Sequence, residues 1–328
     1  MGSDCGCQAI VYEEDRGISK AGIERWALFV VLTIVALLVA LVPLDAGMYR
    51  ALTTRILDAG HFFAFGVFAI AAYAGMLGRG LRHRVSAVVM LSLGLALALE
   101  ALQSLSGRSA AIGDVVMDML GVAVFLAVFV PRRRPAWRRL AVAVFIVMCF
   151  VVVSWPAMEG YRIWAGRHAS PMLGSFETAK DRLMWRPSSP GDWPTARTEL
   201  DKNWVSEGRS ALSVRTQSGA WSGVNYYGYG ADWSGYQALH FDIYNPGTPF
   251  SLGIRIDDTV IKNPTYGQRY NTMLQIRHGW NSVTLTMAQV AAGPAKRRLD
   301  LTRIFRLMMF VEPKQPPRHF YLDNVRLE

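Results

Sequence analysis

Five long apolar runs crowd the first half of this chain, and they limit its fold before any other feature does. They extend from Trp26 to about Pro43, from about His61 to Leu77, from Val85 to Leu102, from Ile112 to Val130 and from Leu140 to about Pro156. Each comes near the ~20 residues needed to cross the hydrocarbon core of a bilayer. A single soluble domain does not bury five segments of that length. The pattern predicts an α-helical integral membrane bundle of about five transmembrane helices over residues 25–157. Of the 328 residues, 52% are hydrophobic, concentrated in this half, while most Trp and Tyr lie in the other.

The loops between the runs set an orientation. The tail holds Arg16, Lys20 and Arg25, and the following loops hold Arg50 and Arg55, then Arg79, Arg82 and Arg84, then Arg108, then Arg132, Arg133, Arg134, Arg138 and Arg139. Alternate sides of the bundle therefore carry eleven and three cations. Cytoplasmic loops are the basic ones. The chain is expected to have a cytoplasmic N-terminus in an inner (cytoplasmic) membrane, with everything after Pro156 in the periplasm or outside the cell. Residues 1–24 lack the apolar core and cleavage pattern of a signal peptide and are expected to form a cytoplasmic tail. The run Pro131–Arg139 is read as a topology anchor at the anionic inner leaflet.

The net charge of +10 raises nucleic acid as a partner. No basic stripe with interleaved aromatics appears, and the arginines of the first half sit between apolar runs, so nucleic-acid binding is set aside. Cys149 lies inside an apolar run and reads as a small hydrophobe. Cys5 and Cys7 supply two ligands where a structural zinc site needs four. The second half holds no cysteine and must be stabilised by its core.

Ionisable residues at the ends of the apolar runs call for a reason, since each costs about 2.5–3.5 kcal/mol at a helix centre on insertion scales. They are His61, Glu100, Gln103, Arg108, Asp114 and Asp118. Glu100 and Gln103 share one helix face, as do Asp114 and Asp118. If those faces meet, an outward-opening polar pocket results, suited to acid/base work, metal binding or headgroup recognition. The alternative is a set of ties between helices, with Arg108 paired to Asp114 or Glu100. Both readings stay open. Neither a Ser-His-Asp arrangement, nor H-E-x-x-H, nor a phosphate loop is present.

Residues 158–173 read as a linker rich in Pro, Gly and Ser, and residues 174–328 as short alternating runs broken by turn residues. Strands are expected at Ser210–Thr216, Ala238–Tyr244, Ser251–Asp257, Met273–Arg277, Asn281–Met287, Ile304–Val311 and Phe320–Leu327. Asn245-Pro246-Gly247 is a strong turn signal. This spacing predicts an all-β jelly-roll sandwich. Trp221, Tyr226, Tyr227, Tyr229 and Trp233 cluster in a Gly-rich segment, which would suit a stacking surface for sugar rings; the alternative is that many of them pack in the sandwich core or turns. Tyr226 and Tyr227 are adjacent and cannot both face inward on one strand. Asp257, Asp258, Glu199 and Asp201 read as turn and surface residues.

The stretch from His61 to Gly121 resembles the VanZ-like membrane family. The matching pieces are His61-Phe62 with Phe65, Glu100-x-x-Gln103, Arg108, and Asp114 with Gly121 below it, within about residues 26–130. Where that family has Asn four residues after the Asp, this chain has Asp118, an added carboxylate. The resemblance implies a membrane location and a connection with the bacterial cell envelope. The second half is similar to jelly-roll carbohydrate-binding modules and galactose-binding-like domains. That likeness rests on Phe176-Glu177, Asp232-Trp233-Ser234-Gly235-Tyr236, Gly279-Trp280-Asn281 and Tyr321-Leu322-Asp323-Asn324-Val325-Arg326-Leu327. It implies a structural Ca2+ near the first and last strands, for which Glu177 and Asp323 are the candidate ligands.

The leading expectation is a VanZ-like membrane protein whose outer jelly roll binds an envelope polysaccharide or a peptidoglycan-related glycan without turnover. A membrane enzyme acting on a lipid-linked or cell-wall substrate through His61, Glu100 and Asp114 is the second, and a scaffold for partner membrane proteins the third.

Overall fold

The computed structural model describes residues 49–76, 80–105, 112–130, 135–188 and 194–328. The expected tail, the span from Trp26 to Pro43, the Cys5/Cys7 pair and Arg108 lie outside the described residues. The described chain divides into two compact units, Ile56–Val153 and Ser154–Glu328, the latter joined by the residues up to Arg55.

Four helices dominate the first part of the chain: α1 (Arg50–Gly75), α2 (Leu81–Leu105), α3 (Ile112–Phe129) and α4 (Pro135–Arg167). All four are long and apolar enough to cross a membrane, by length and composition. Apolar residues such as Leu97, Phe129, Ile146 and Phe150 stand exposed on the bundle, surface that water would penalise. Where helices meet, small residues bring backbones together. A Cβ at Gly121 in α3 would collide with the Phe62 carbonyl of α1, and one at Gly66 in α1 with the Phe125 ring of α3. Phe62, Phe63, Phe125 and Phe145 then interlock edge to face, with centroid distances of 5.1–6.4 Å.

Helix α1 begins eleven residues before the expected His61, because Arg50–Gly60 is a good helix former although too polar to count as apolar. Helix α4 runs through Pro156 to Arg167, so the linker expected at 158–173 is corrected to three further helical turns followed by a strand. Those turns belong to the second unit and are held by its strands. Glu159 accepts from Arg162 Nη1 at 3.1 Å and from Arg186 Nη2 at 2.6 Å, and Tyr226 Oη donates to the Gly166 carbonyl at 2.6 Å.

The second unit is a sandwich of two antiparallel sheets. Its strands are β1 (Met172–Gly174), β2 (Trp185–Pro187), β3 (Ala196–Asp201), β4 (Ala211–Thr216), β5 (Ser222–Ala231), β6 (Ala238–Asn245), β7 (Phe250–Asp258), β8 (Tyr270–Ile276), β9 (Gly279–Thr286), β10 (Ile304–Val311) and β11 (His319–Leu327). One sheet runs β3-β4-β11-β6-β9 with β1 beside β11, and the other β2-β5-β10-β7-β8. Two short helices, α5 (Ala179–Met184) and α6 (Met287–Ala292), carry capping boxes from Thr178 and Thr286. Alternation supplies the core: Leu239, Phe241 and Ile243 from β6 meet Leu252, Ile254 and Ile256 from β7 and Leu307, Met309 and Val311 from β10, all fully buried or nearly so.

Strand β5 falls where only a Gly-rich aromatic segment is visible in the sequence. Its glycines interrupt the apolar rhythm but serve the sheet, since a Cβ at Gly223 would press on the Phe310 backbone of β10.

Candidate functional site

The outer face of the β2-β5-β10-β7-β8 sheet is built from three cross-strand rows. Tyr227, Arg306 and Asp257 form the first, and Arg186, Asn225, Met308, Arg255 and Asn271 the second. The third is Gly223, Phe310, Gly253 and Met273. Residues two apart on a strand share a face, so Arg255 and Asp257 stand side by side.

The rows differ in chemistry. In the third, glycines flank Phe310 on both neighbouring strands, and a Cβ at Gly253 would overlap the Phe310 ring. The ring therefore lies down over β7 as a flat apolar floor. Trp221, 53% exposed, stands at its edge with centroids 5.2 Å apart and planes at 77°. In the first two rows, Asp257 is 1% exposed and is held from both sides. Arg306 Nε donates to its Oδ2 at 2.6 Å, and Arg255 Nε donates to its Oδ1 at 2.8 Å. Burial lowers the Arg255 guanidinium, and the nearby Arg306 charge adds to that. Arg269, just before β8, is lowered by burial and by Arg255, and its Nε is buried without a partner among the described residues. Asn225 Oδ1 is likewise buried and unpaired there. An apolar floor beside fixed donors and an unsatisfied acceptor suits a ligand with flat faces and hydroxyl edges.

At the edge of this face, Tyr227 and Tyr229 stack at 5.6 Å, and the Arg186 guanidinium lies 5.7 Å from the Tyr227 ring centroid. Burial pushes the Tyr229 phenol up to about 12, and Tyr226 further still.

The five aromatics singled out from the sequence do not form one platform. Tyr226 and Trp233 are fully buried in the sandwich core, and Tyr229 is 4% exposed. Only Trp221 and Tyr227 belong to the open face. The reason is pleating: with Val224 and Tyr226 committed to the core, Tyr227 turns outward, while Trp233 follows the end of β5 and folds under it. Phe310, Arg255, Asp257, Arg306 and Arg269 complete the face and went unseen. Asp257 and Asp258 are corrected from turn and surface residues to buried ones. Asp258 receives Arg297 through two bonds, at 2.5 Å and 2.7 Å, and thereby anchors the chain ahead of β10. The signal for Asp257 was its spacing of two from Arg255 on an alternating strand.

Glu177 and Asp323 hold a loop. Asp323 Oδ2 accepts from the Ser206 and Glu207 amides at 2.8 Å and 3.1 Å, and Glu177 Oε1 from the Arg209 and Ser210 amides at 2.7 Å and 3.1 Å. Calcium takes six to eight oxygen ligands. Here both carboxylates face N–H donors, and no group of three or more His, Cys, Asp or Glu that could hold a metal occurs among the described residues. The surroundings do not fit the expected Ca2+.

In the helical unit, His61 Nδ1 lies 2.9 Å from Asp118 Oδ1. Asp118 is 2% exposed, and Asp114, Glu100 and Asp58 are close enough to act electrostatically on the pair or on one of its members. Gln103 is buried on α2. The structure thus brings His61 to Asp118.

A family model described as a carbohydrate binding domain (family 11) matches residues 166–326, which supports a domain of that kind there. Among solved structures, a family 11 carbohydrate-binding module from Clostridium thermocellum in complex with a β-1,3-1,4-mixed-linked tetrasaccharide is similar at 18% identity and a TM-score of 0.39, over 48% of this chain and 94% of that one. An exo-β-agarase is similar at 17% identity and a TM-score of 0.38, over 48% of this chain and 25% of that one. A module specific for non-crystalline cellulose is similar at 16% identity and a TM-score of 0.35, over 48% and 94%. No curated protein matches.

Proposed function

We propose that the chain is an integral membrane protein of the bacterial cell envelope whose C-terminal sandwich binds a glycan on the open face of the β2-β5-β10-β7-β8 sheet. The observation that carries this reading is the pairing of the Phe310 and Trp221 floor with the Arg255-Asp257-Arg306 cluster, which begins two residues further along β7. Sugar C–H faces stack on the rings, and ring hydroxyls receive the guanidinium donors. The family match over residues 166–326 supports it. The basic loops support a cytoplasmic N-terminus and a C-terminal domain outside the cytoplasm, so the ligand class is an envelope polysaccharide or peptidoglycan-related glycan. Affinity electrophoresis of the full chain, in a detergent without a sugar headgroup, tests it against mixed-linked β-1,3-1,4-glucan and soluble peptidoglycan strands. Retardation by at least one, lost in Trp221→Ala with Phe310→Ala, is expected. Equal mobility of native and variant chains in every gel would refute it. A disulfide-dependent phosphatase fused after Glu328, which folds only outside the reducing cytoplasm, is expected to be active, and an inactive fusion at normal abundance would refute the orientation.

A second reading is favoured by the His61–Asp118 contact at 2.9 Å. A His-carboxylate pair inside a bundle suits proton transfer, with Glu100 and Asp114 nearby, as in an enzyme acting on a lipid-linked envelope substrate. The resemblance of the stretch from His61 to Gly121 to VanZ-like sequences supports an envelope setting for the pair. Under this reading, His61→Ala and Asp118→Asn change the lipid-linked precursors measured by mass spectrometry of the membranes at unchanged protein abundance. Identical precursor profiles would exclude it.

A further inference from the structure

The opposite sheet carries a register of its own. Glu199 on β3 pairs with Ser213 on β4, Ser213 with Tyr321 on β11, Tyr321 with Tyr244 on β6, and Tyr244 with Trp280 on β9. All five alternate with core residues on the side of the sheet away from the sandwich interior; Ser213 and Tyr321 are buried there, and Tyr244, Trp280 and Glu199 reach the surface. Three consecutive members are aromatic, so the aromatic part spans two strand spacings, ~9.5 Å. Trp204, from the loop after β3, lies flat on Tyr244 with centroids 3.8 Å apart and planes 9° from parallel. Trp280 meets the same ring at 5.2 Å and 62°. Trp204 is 38% exposed and Trp280 47%.

This cluster is constructed by bonds that have no other evident use. Trp204 sits in the loop that Asp323 and Glu177 grip through four backbone amides, and Asn203 closes an Asx turn on Asp201 Oδ1 at 2.8 Å. Polar groups surround the rings. Asp242 accepts from Asn324 Nδ2 at 3.1 Å and lies 3.3 Å from His240 Nε2. Ser213 Oγ and His319 Nε2 are 3.0 Å apart, and the His319 and Tyr321 rings are 4.7 Å apart.

We propose that this face is a second glycan-binding surface, taking a β-linked pyranose chain across the exposed Trp204 and Trp280 rings that Tyr244 supports from below. Trp204 and Trp280 stack on ring faces, and Asp242 and His240, each partly exposed, serve ring hydroxyls. A protein partner fits less well, because the cores of protein interfaces are depleted of charge. Here Glu199, Asp242, His240 and Arg215 border the rings within a strand or two. The surface is separated from the groove by the sandwich core, about 10 Å thick, so neither site blocks the other. Two sites on one domain raise avidity for a long polysaccharide without any new contact. The proposal does not rest on the groove.

The test is titration calorimetry of the full chain, in a detergent without a sugar headgroup, with chitopentaose and with a mixed-linked β-1,3-1,4-glucan oligosaccharide. The groove is first disabled by Trp221→Ala with Phe310→Ala. Saturable heat is expected to persist with at least one probe and to weaken by at least about tenfold when Trp204→Ala and Trp280→Ala are added, as for loss of two aromatic anchors. Trp280→Phe retains most of the affinity, and near-ultraviolet circular dichroism of the core Trp185 and Trp233 confirms an intact fold. Absence of saturable heat with both probes in the groove-disabled chain overturns the proposal. So does heat that survives removal of both Trp204 and Trp280. The groove reading fails separately, if disabling it leaves the native affinity unchanged.

Discussion

Asp257→Asn is the sharpest probe of the groove. The native carboxylate is 1% exposed and neutralises two guanidiniums whose side chains are 15% and 23% exposed, Arg255 at 2.8 Å and Arg306 at 2.6 Å. Asparagine keeps the shape and one acceptor but removes the charge, leaving two partly exposed cations without the carboxylate between them. Breaking a fully buried pair costs about 3–5 kcal/mol. Partial exposure of the arginines reduces this, so about 2–4 kcal/mol is expected. For a domain of this size each kcal/mol moves Tm by about 2–4 °C, which gives a loss of about 4–16 °C. The matched control is Glu199→Gln, whose 3.2 Å pair with Arg215 is more than half exposed on both sides and contributes at most about 1 kcal/mol. Thermal melts of both variants in the full chain, followed by near-ultraviolet circular dichroism, make the comparison. If Asp257→Asn melts within about 2 °C of native, or no lower than the Glu199 control, then the row is not an electrostatic unit and the argument built on it falls.

Three further outcomes follow from the same structure. Gly253→Ala forces the Phe310 ring off β7 and is expected to abolish glycan retardation in affinity gels while the melt falls by less than for Asp257→Asn; unchanged binding would show that the flat ring is irrelevant. Tyr226→Phe removes the donor to the Gly166 carbonyl, leaving a buried acceptor unpaired at about 1–3 kcal/mol, read as a lower Tm in the same assay. His319 is depressed below 6.5 by burial and by Arg215, so the unfolded chain binds its proton more readily than the folded one. Stability therefore falls as pH drops below 6.5, and His319→Gln should flatten that part of the Tm-against-pH curve relative to native.

Sheet strands with strict alternation were legible because period two leaves one apolar set for the core. β6 and β7 lie within a residue of their expected bounds for that reason, while β10 was legible as a more continuously apolar run and β11 as the closing segment. Strand β3 was not, because Arg197, Thr198, Glu199 and Asp201 mark a polar strand at the edge of its sheet. β5 was hidden by its glycines, and with it the floor of the groove. The site suffered most because it is assembled across strands: nothing local joins Phe310 to Gly253, or Asp257 to Arg306. Clustering of aromatics in sequence pointed at Tyr226 and Trp233, whose large apolar area made them core residues instead. The His61–Asp118 approach was legible only as positions at helix ends, since the α1–α3 contact that creates it depends on Gly121 and Gly66.

The end of α4 shows why a composition-based boundary failed and what the true one implies. Hydropathy falls after Pro156, which reads as the start of a linker. Yet proline interrupts only one hydrogen bond of a helix, and tertiary partners can carry the helix past it. Here those partners are Arg186 on β2 and Tyr226 and Tyr229 on β5, which receive Glu159 and Gly166 while Ala165 enters the sandwich core. Arg186 belongs to the same outer face as Asn225 and Arg255, and its guanidinium lies over Tyr227. The last helical turns therefore border the β2-β5-β10-β7-β8 sheet, and a variant at Glu159 acts on the edge of its outer face as well as on the helix. Glu159→Ala is expected to disturb Arg186 and, through it, Tyr227, and to weaken glycan retardation in the same affinity gels; unchanged retardation would show that these turns do not support the face.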